Sequence, residues 1–140
     1  HDVLFCSMHQ DPATLFPGTG WADERGKGAG LGYTLNVPMP PSSTDEAYLG
    51  TFESQVLPAF HAFKPEFVLV SAGFDAHQAD PLANESMTRA GFDQLITQMK
   101  QLSVEHCQGK LVSVLEGGYD YEALSDCVVS HVTILQADPQ

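Results

Sequence analysis

At 140 residues and 43% hydrophobic content, the chain has the size of one domain with its own core. Its apolar runs are a few residues long, far short of the roughly 18 a membrane-spanning helix needs, and no basic leader precedes one, so the sequence reads as a soluble chain. Six basic against 18 acidic residues, a net charge of -12, argue against nonspecific nucleic-acid binding; the charge serves solubility first and mildly favours cationic partners.

Three cysteines, Cys6, Cys107 and Cys127, are too few and too widely spaced for a disulfide framework or a CxxC zinc site. They are expected to be buried free thiols, which places the chain in a reducing, intracellular setting, read as cytoplasmic.

In chain order, Val3 to Met8 reads as a buried strand that begins with almost no lead-in after His1. That abrupt start suggests that an N-terminal part of the domain lies outside the 140 residues. A long glycine- and proline-rich loop follows from His9 to Gly32. Tyr33 to Val37 is strand-like, and Pro38-Met39-Pro40-Pro41 should close it. Ser43 with Glu46 forms a capping-box pattern, and Leu49, Phe52, Val56, Phe60 and Phe63 recur at helical spacing, with a kink expected at Pro58.

After Lys64-Pro65 the period changes. Phe67 to Val70 is a short continuous apolar run, as expected of a strand covered on both faces. A helix from about Thr88 to Cys107 turns Phe92, Leu95, Ile96, Met99 and Leu102 inward, with Gly109 as its stop. Leu111 to Leu115 is the next strand, and Asp120 can cap a last helix carrying Ala123, Leu124, Cys127, Val128, His131, Val132 and Leu135 on its inner face. Strand, helix, strand, helix at this spacing implies an α/β fold with parallel strands.

In such a sheet ligands collect beyond the carboxyl ends of the strands, and two glycine turns sit there. The first, Ser71-Ala72-Gly73-Phe74-Asp75-Ala76-His77, carries a carboxylate; the second, Leu115-Glu116-Gly117-Gly118-Tyr119, carries a phenol. Asp75 is either a turn acid bonded to nearby amides or a ligand for a cation. Tyr119 either packs over the strand end or donates a hydrogen bond to a developing oxyanion. Asp80 before Pro81 reads as a turn residue, and His77 as a structural or solvated histidine rather than a metal ligand. Gly26-Lys27-Gly28-Ala29-Gly30-Leu31-Gly32 lacks the GK[ST] ending of a phosphate loop, and a strand rather than a helix follows it. The aromatics of Phe16-Pro17-Gly18-Thr19-Gly20-Trp21 suit a pocket rim or a loop anchor equally well.

Four motifs, in this order, resemble the histone deacetylase family: Phe16 to Gly20, the glycine-rich run to Asn36-Val37-Pro38, Ser71 to His77 with Asp80-Pro81-Leu82, and Leu115 to Tyr119. The wording looks like the class II branch and its bacterial deacetylase-like amidohydrolases, and it covers the C-terminal portion of the family's catalytic domain. The resemblance implies an arginase/deacetylase-like parallel sheet flanked by helices and a zinc-dependent hydrolysis of N-acetyl-lysine or another acetylated amine.

In that scheme Asp75 resembles a zinc ligand and Tyr119 the tyrosine that donates its hydroxyl to the substrate carbonyl. Phe16 and Leu82 look like walls of the substrate channel, with Gly117 and Gly118 beside it. Ser7 and the carbonyl of Met8 resemble part of a monovalent cation site, potassium among the candidates; the carbonyls of Val3 and Tyr33 resemble part of a second. The family's remaining zinc ligands and its paired histidine bases belong upstream of His1, so the 140 residues by themselves are expected neither to turn over substrate nor to retain zinc. Two other readings stand beside this one: a catalytically silent domain that binds a partner or itself through an exposed face, and an acetylpolyamine amidohydrolase, which differs in substrate rather than chemistry.

Overall fold

The computed structural model describes residues 2–138. Strand β1 (Phe5–Gln10) pairs in parallel with β2 (Thr34–Met39), and β3 (Val68–Ala72) pairs in parallel with β4 (Leu111–Leu115). No hydrogen-bonded ladder joins the two pairs among the described residues. β1 starts at Phe5 rather than Val3, and β2 runs on through Pro38 to Met39 instead of stopping at Val37. Pro38 sits opposite His9 in a strand with one ladder partner, where a missing backbone N–H is tolerated.

The loop between β1 and β2 is ordered by a few polar anchors. Asn36, 8% exposed, donates from Nδ2 to the carbonyls of Trp21 (3.3 Å) and Glu24 (3.1 Å). The Glu24 carboxylate in turn accepts from the Gly20 and Trp21 amides. Trp21 Nε1–H bonds the Gly18 carbonyl, so this aromatic anchors its loop. The glycine-rich run holds a single 3-10 turn, Gly28–Gly30, and no helix follows it.

The first helical stretch differs from its expected start. Thr44, not Ser43, is the N-cap residue of α1 (Asp45–Thr51), without a side-chain cap bond. Ser43 Oγ instead donates to the Pro40 carbonyl at 2.6 Å, and the Asp45 carboxylate accepts from both the amide and the hydroxyl of Thr88. Between α1 and α2 (Leu57–Phe63) lies a π-helical turn, Phe52–Val56, closed by a bond from the Leu57 N–H to the Phe52 carbonyl. The wider turn sits directly ahead of Pro58, whose lack of an N–H and ring bulk interrupt the regular i→i−4 ladder. Tyr48, Phe52 and Val56, four residues apart, are all buried by this arrangement.

Helix α3 (Arg89–Cys107) buries Ile96 and Leu102, and it ends on Gln108 and Gly109, both in the left-handed region. Helix α4 (Tyr121–Gln136) begins as expected: the Asp120 carboxylate accepts from the Ala123 N–H at 2.8 Å. Cys127 is buried at the centre of its inner face, while Val132 lies toward the rim at 44% exposure. Cys107 and Cys127 are buried free thiols and Cys6 is a half-buried one, with burial pushing the Cys6 and Cys127 thiols up to about 11.

Two apolar clusters form the core. One gathers Val37, Met39, Tyr48, Phe52, Val56, Met87 and Leu102; the other gathers Ala72, Phe74 and Cys127; Phe92 packs against both. The β3–β4 pair is covered on one side only. Val68 and Ala72 face the helices, whereas Leu69 (66%), Val112 (46%) and Val114 (47%) are exposed on the opposite face. The expectation of a strand covered on both faces therefore fails within this chain, because successive strand residues alternate sides and helices pack on just one of them.

Candidate active site

The β3–β4 ladder does not stop with the strands. The Glu116 N–H donates to the Ala72 carbonyl (3.0 Å) and the Phe74 N–H to the Gly117 carbonyl (2.8 Å), so the two glycine turns are bonded edge to edge. Asp75 leaves the first turn as Gly117 and Tyr119 leave the second. A Cβ placed on Gly117 would lie 2.9 Å from one Asp75 carboxylate oxygen and 3.4 Å from the other. Gly117 is thus required by close approach, not by an unusual backbone angle. Gly118 has a positive φ of 136°, and a Cβ there would meet Leu124 and Phe74, so the core dictates this glycine.

Burial raises the Asp75 carboxyl above the ordinary aspartate range; its own amide and that of Ala76 pull it back down, and the neighbouring Asp80 charge adds to the rise. A half-buried carboxylate with a glycine-cleared approach has the character of a cation ligand. Tyr119 is 51% exposed, and its backbone N–H donates to Asp80 Oδ2 at 2.8 Å.

Asp80 does more than the turn role foreseen for it. Oδ1 accepts from the Leu82 and Ala83 amides while Oδ2 reaches across to Tyr119, so one carboxylate ties the two glycine loops together. Adjacency to Pro81 marks the turn, but nothing in the local sequence indicates the second bond. His77 is structural: its Nδ1 accepts the Ala79 N–H and its ring stacks on Phe92.

Leu82 (62% exposed) and Phe16 (92% exposed) project from separate loops. The Phe16–Pro17 peptide is cis. Ser7 hydrogen-bonds His9 Nδ1 at 2.8 Å, and His9 Nε2 bonds the Gly20 carbonyl at 2.9 Å. Since a carbonyl only accepts, Nε2 carries the proton, and in the neutral ring Nδ1 accepts from the Ser7 hydroxyl. The Ser7 oxygen keeps its lone pairs for another partner. The sequence reading assigns His9 to the loop, but β1 runs on through Gln10, and Ser-x-His on a strand places both side chains on one face. The Tyr33 carbonyl accepts the Phe5 N–H at 2.9 Å, and Val3 and Tyr33 line one surface depression with Lys27.

A parallel α/β layout with an acid and a phenol at adjoining strand ends defines a class of site, and the comparisons identify its family. Residues 1–135 match the histone deacetylase domain; the chain belongs to the histone deacetylase family. It is 43% identical over 120 residues to a probable deacetylase of Archaeoglobus fulgidus, covering 86% of this chain and 33% of that protein. It is 47% identical over 127 residues to histone deacetylase 14, chloroplastic, of Arabidopsis thaliana, covering 91% and 30% respectively. The crystal structure of the HDA15 HD domain superposes with a TM-score of 0.85 at 36% identity, over 99% of this chain and 39% of that one. An acetylpolyamine aminohydrolase from Burkholderia pseudomallei superposes equally well, at a TM-score of 0.86 and 34% identity over 96% of this chain and 38% of that one. The chain spans about a third of the length of these curated relatives.

Asp75 has the chemistry of one carboxylate ligand for a metal ion. Among the described residues, no group of three metal donors includes it, and a catalytic zinc ordinarily takes three protein ligands. Among the described residues, the strand-end site therefore supplies one carboxylate and not a complete set of zinc ligands.

Proposed function

We propose that this chain is the C-terminal portion of a zinc-dependent deacetylase domain, acting on acetyl-lysine or a related acetylated amine as part of a longer polypeptide. The observation that carries the reading is the bonded pair of strand-end turns, with the Asp75 carboxylate against Gly117 and Tyr119 two residues on. Zinc, when bound, supplies a Lewis acid and an acidified water. Asp75 contributes one ligand to it, and the other ligands and the general base come from outside these 140 residues. Tyr119 donates its exposed hydroxyl to the substrate carbonyl, a bond worth most as negative charge builds on that oxygen. Phe16, Leu82 and the Gly117–Gly118 turn flank the acyl-amine stem. Ser7 and the Met8 carbonyl hold a monovalent cation, potassium among the candidates, and the Val3 and Tyr33 carbonyls help hold a second. The protein works in a reducing, intracellular compartment such as the cytoplasm on this reading, which its free thiols support. The negative charge favours cationic substrates over nucleic acid.

The test is Tyr119→Phe in the longer protein, followed by turnover of an acetyl-lysine peptide and by zinc content. Turnover should fall by roughly 10²–10³-fold with zinc retained; unchanged turnover would remove Tyr119 from the reaction. The isolated 140-residue chain should show neither activity nor stoichiometric zinc, and chelator-sensitive deacetylation by it would overturn the partial-domain reading.

A second reading is favoured by the bare β3–β4 face bearing Leu69, Val112 and Val114. As a non-catalytic module the chain would bind a different protein there and run alone without it. Size exclusion of the 140-residue chain separates the two: an incomplete domain self-associates through this face, and a silent module runs as a monomer.

A further inference from the structure

We propose that His61, Glu105 and His106 form a second metal site that binds a divalent transition ion, with zinc the best match. His61 lies in the last turn of α2, and Glu105 and His106 lie in the last turn of α3, two elements that carry no residue of the strand-end site. Three atoms face one another: His61 Nδ1 and His106 Nε2 are 2.9 Å apart, and Glu105 Oε1 lies 3.6 Å from the first and 3.7 Å from the second.

A circle through the corners of such a triangle has a radius of about 2.0 Å, which is the length of a zinc–imidazole or zinc–carboxylate bond. One ion therefore lies within bonding distance of all three atoms, and the two rings, which aim at each other without it, turn their lone pairs toward it. Two imidazoles and one carboxylate are a donor set suited to zinc, and it leaves a fourth position for water. That position is open, since the His61 and Glu105 side chains are 43% and 59% exposed. His106 is only 12% exposed, so one ligand is fixed in advance by packing. Both helices end at the site, and their C-terminal carbonyls favour a cation there.

The rings are tilted by 60° with centroids 5.1 Å apart, which aims nitrogen at nitrogen instead of stacking face on face. Without an ion, the same geometry is an N–H···N bond between the two imidazole rings. Metal binding would replace that bond and cross-link α2 to α3.

The experiment is a calorimetric titration of the longer protein, its catalytic centre already zinc-loaded, with zinc chloride. One additional equivalent should bind in the micromolar range, and His61→Ala and His106→Ala should each weaken it at least about tenfold while the circular dichroism spectrum is unchanged. No additional equivalent, or two variants that bind as the parent does, would overturn the site. Anomalous scattering from a zinc-soaked crystal of the parent protein tests the geometry without any variant. A peak about 2.0–2.2 Å from all three atoms supports it, and an empty map at that point refutes it.

Discussion

Glu85 is the least expected charged residue in the fold, and its burial has a measurable consequence. It is 5% exposed. Oε2 accepts the Ser43 N–H at 2.9 Å, and Oε1 is buried with no hydrogen-bond partner among the described residues. Desolvation pushes its carboxyl from an ordinary 4.5 up to about 7, with the Ser43 amide opposing the rise. A rise of this size corresponds to about 3 kcal/mol at roughly 1.4 kcal/mol per pKa unit.

The sign follows from proton counting. Between pH 4.5 and about 7 the folded protein keeps a proton that the unfolded chain has released. This group's contribution is therefore fully present below pH 4.5, declines as pH rises through the window, and is lost above about 7. Glu85→Gln keeps the shape and an acceptor for Ser43 while removing the charge. The variant should be more stable than the parent by about 3 kcal/mol at pH 8, and the gap should close toward pH 4. Urea denaturation of both proteins at stepped pH reads the difference directly, and other titrating groups cancel between them. A variant equal to or less stable than the parent at pH 8 would show that Glu85 is ionised without penalty in the fold, and the desolvation argument would fail.

Gly117→Ala puts a methyl group where the Asp75 carboxylate lies; the longer protein should lose zinc affinity and about 1–3 kcal/mol of stability, checked by metal analysis and denaturation, and full zinc retention would show that the carboxylate has room to move. Asp120→Ala removes the side-chain bond to Ala123 and should lower unfolding stability by about 1 kcal/mol without altering turnover. Ser7→Ala deletes the hydroxyl held by His9, so the potassium concentration needed for half-maximal activity should rise; an unchanged potassium profile would exclude Ser7 from the cation site.

The parts legible in the sequence are those governed by local chemistry. β3, β4 and the helix after each show as changes of hydrophobic period, and Asp120 shows as a cap because capping involves residues three apart. Asp75 and Tyr119 are legible as a pair because parallel strands carry whatever follows them to the same edge. What escaped depends on distant partners. Thr44 stands as N-cap in place of Ser43 because the Ser43 hydroxyl goes to the Pro40 carbonyl and its N–H to the Glu85 carboxylate, far along the chain. Glu85 looks like any acidic loop residue, and only packing beside Tyr48 and Ser43 reveals it as buried. The π-helical turn was visible merely as a proline, since the sequence shows that a ladder breaks at Pro58 but not how the preceding carbonyls are satisfied.

The same distinction explains how the strand-end site is held. The acid and the phenol arrive by strand register, but their loops are fixed by bonds of long sequence separation. In front, Asp80 spans from its own turn to the Tyr119 amide. Behind, the segment from Asn84 to Thr88 runs between two others: it bonds Ser42, Ser43 and Asp45 on one side and Ala76 and Gln78 on the other. Met87, 1% exposed, fastens that segment into the larger core. Asp75 thus sits one residue from Ala76, whose carbonyl accepts the N–H of the buried Met87, and this lets a carboxylate stay aimed while partly stripped of water. On the proposed reading, rigidity behind Asp75 and exposure at Tyr119 suit a site in which one group holds an ion in place and the other meets an incoming substrate.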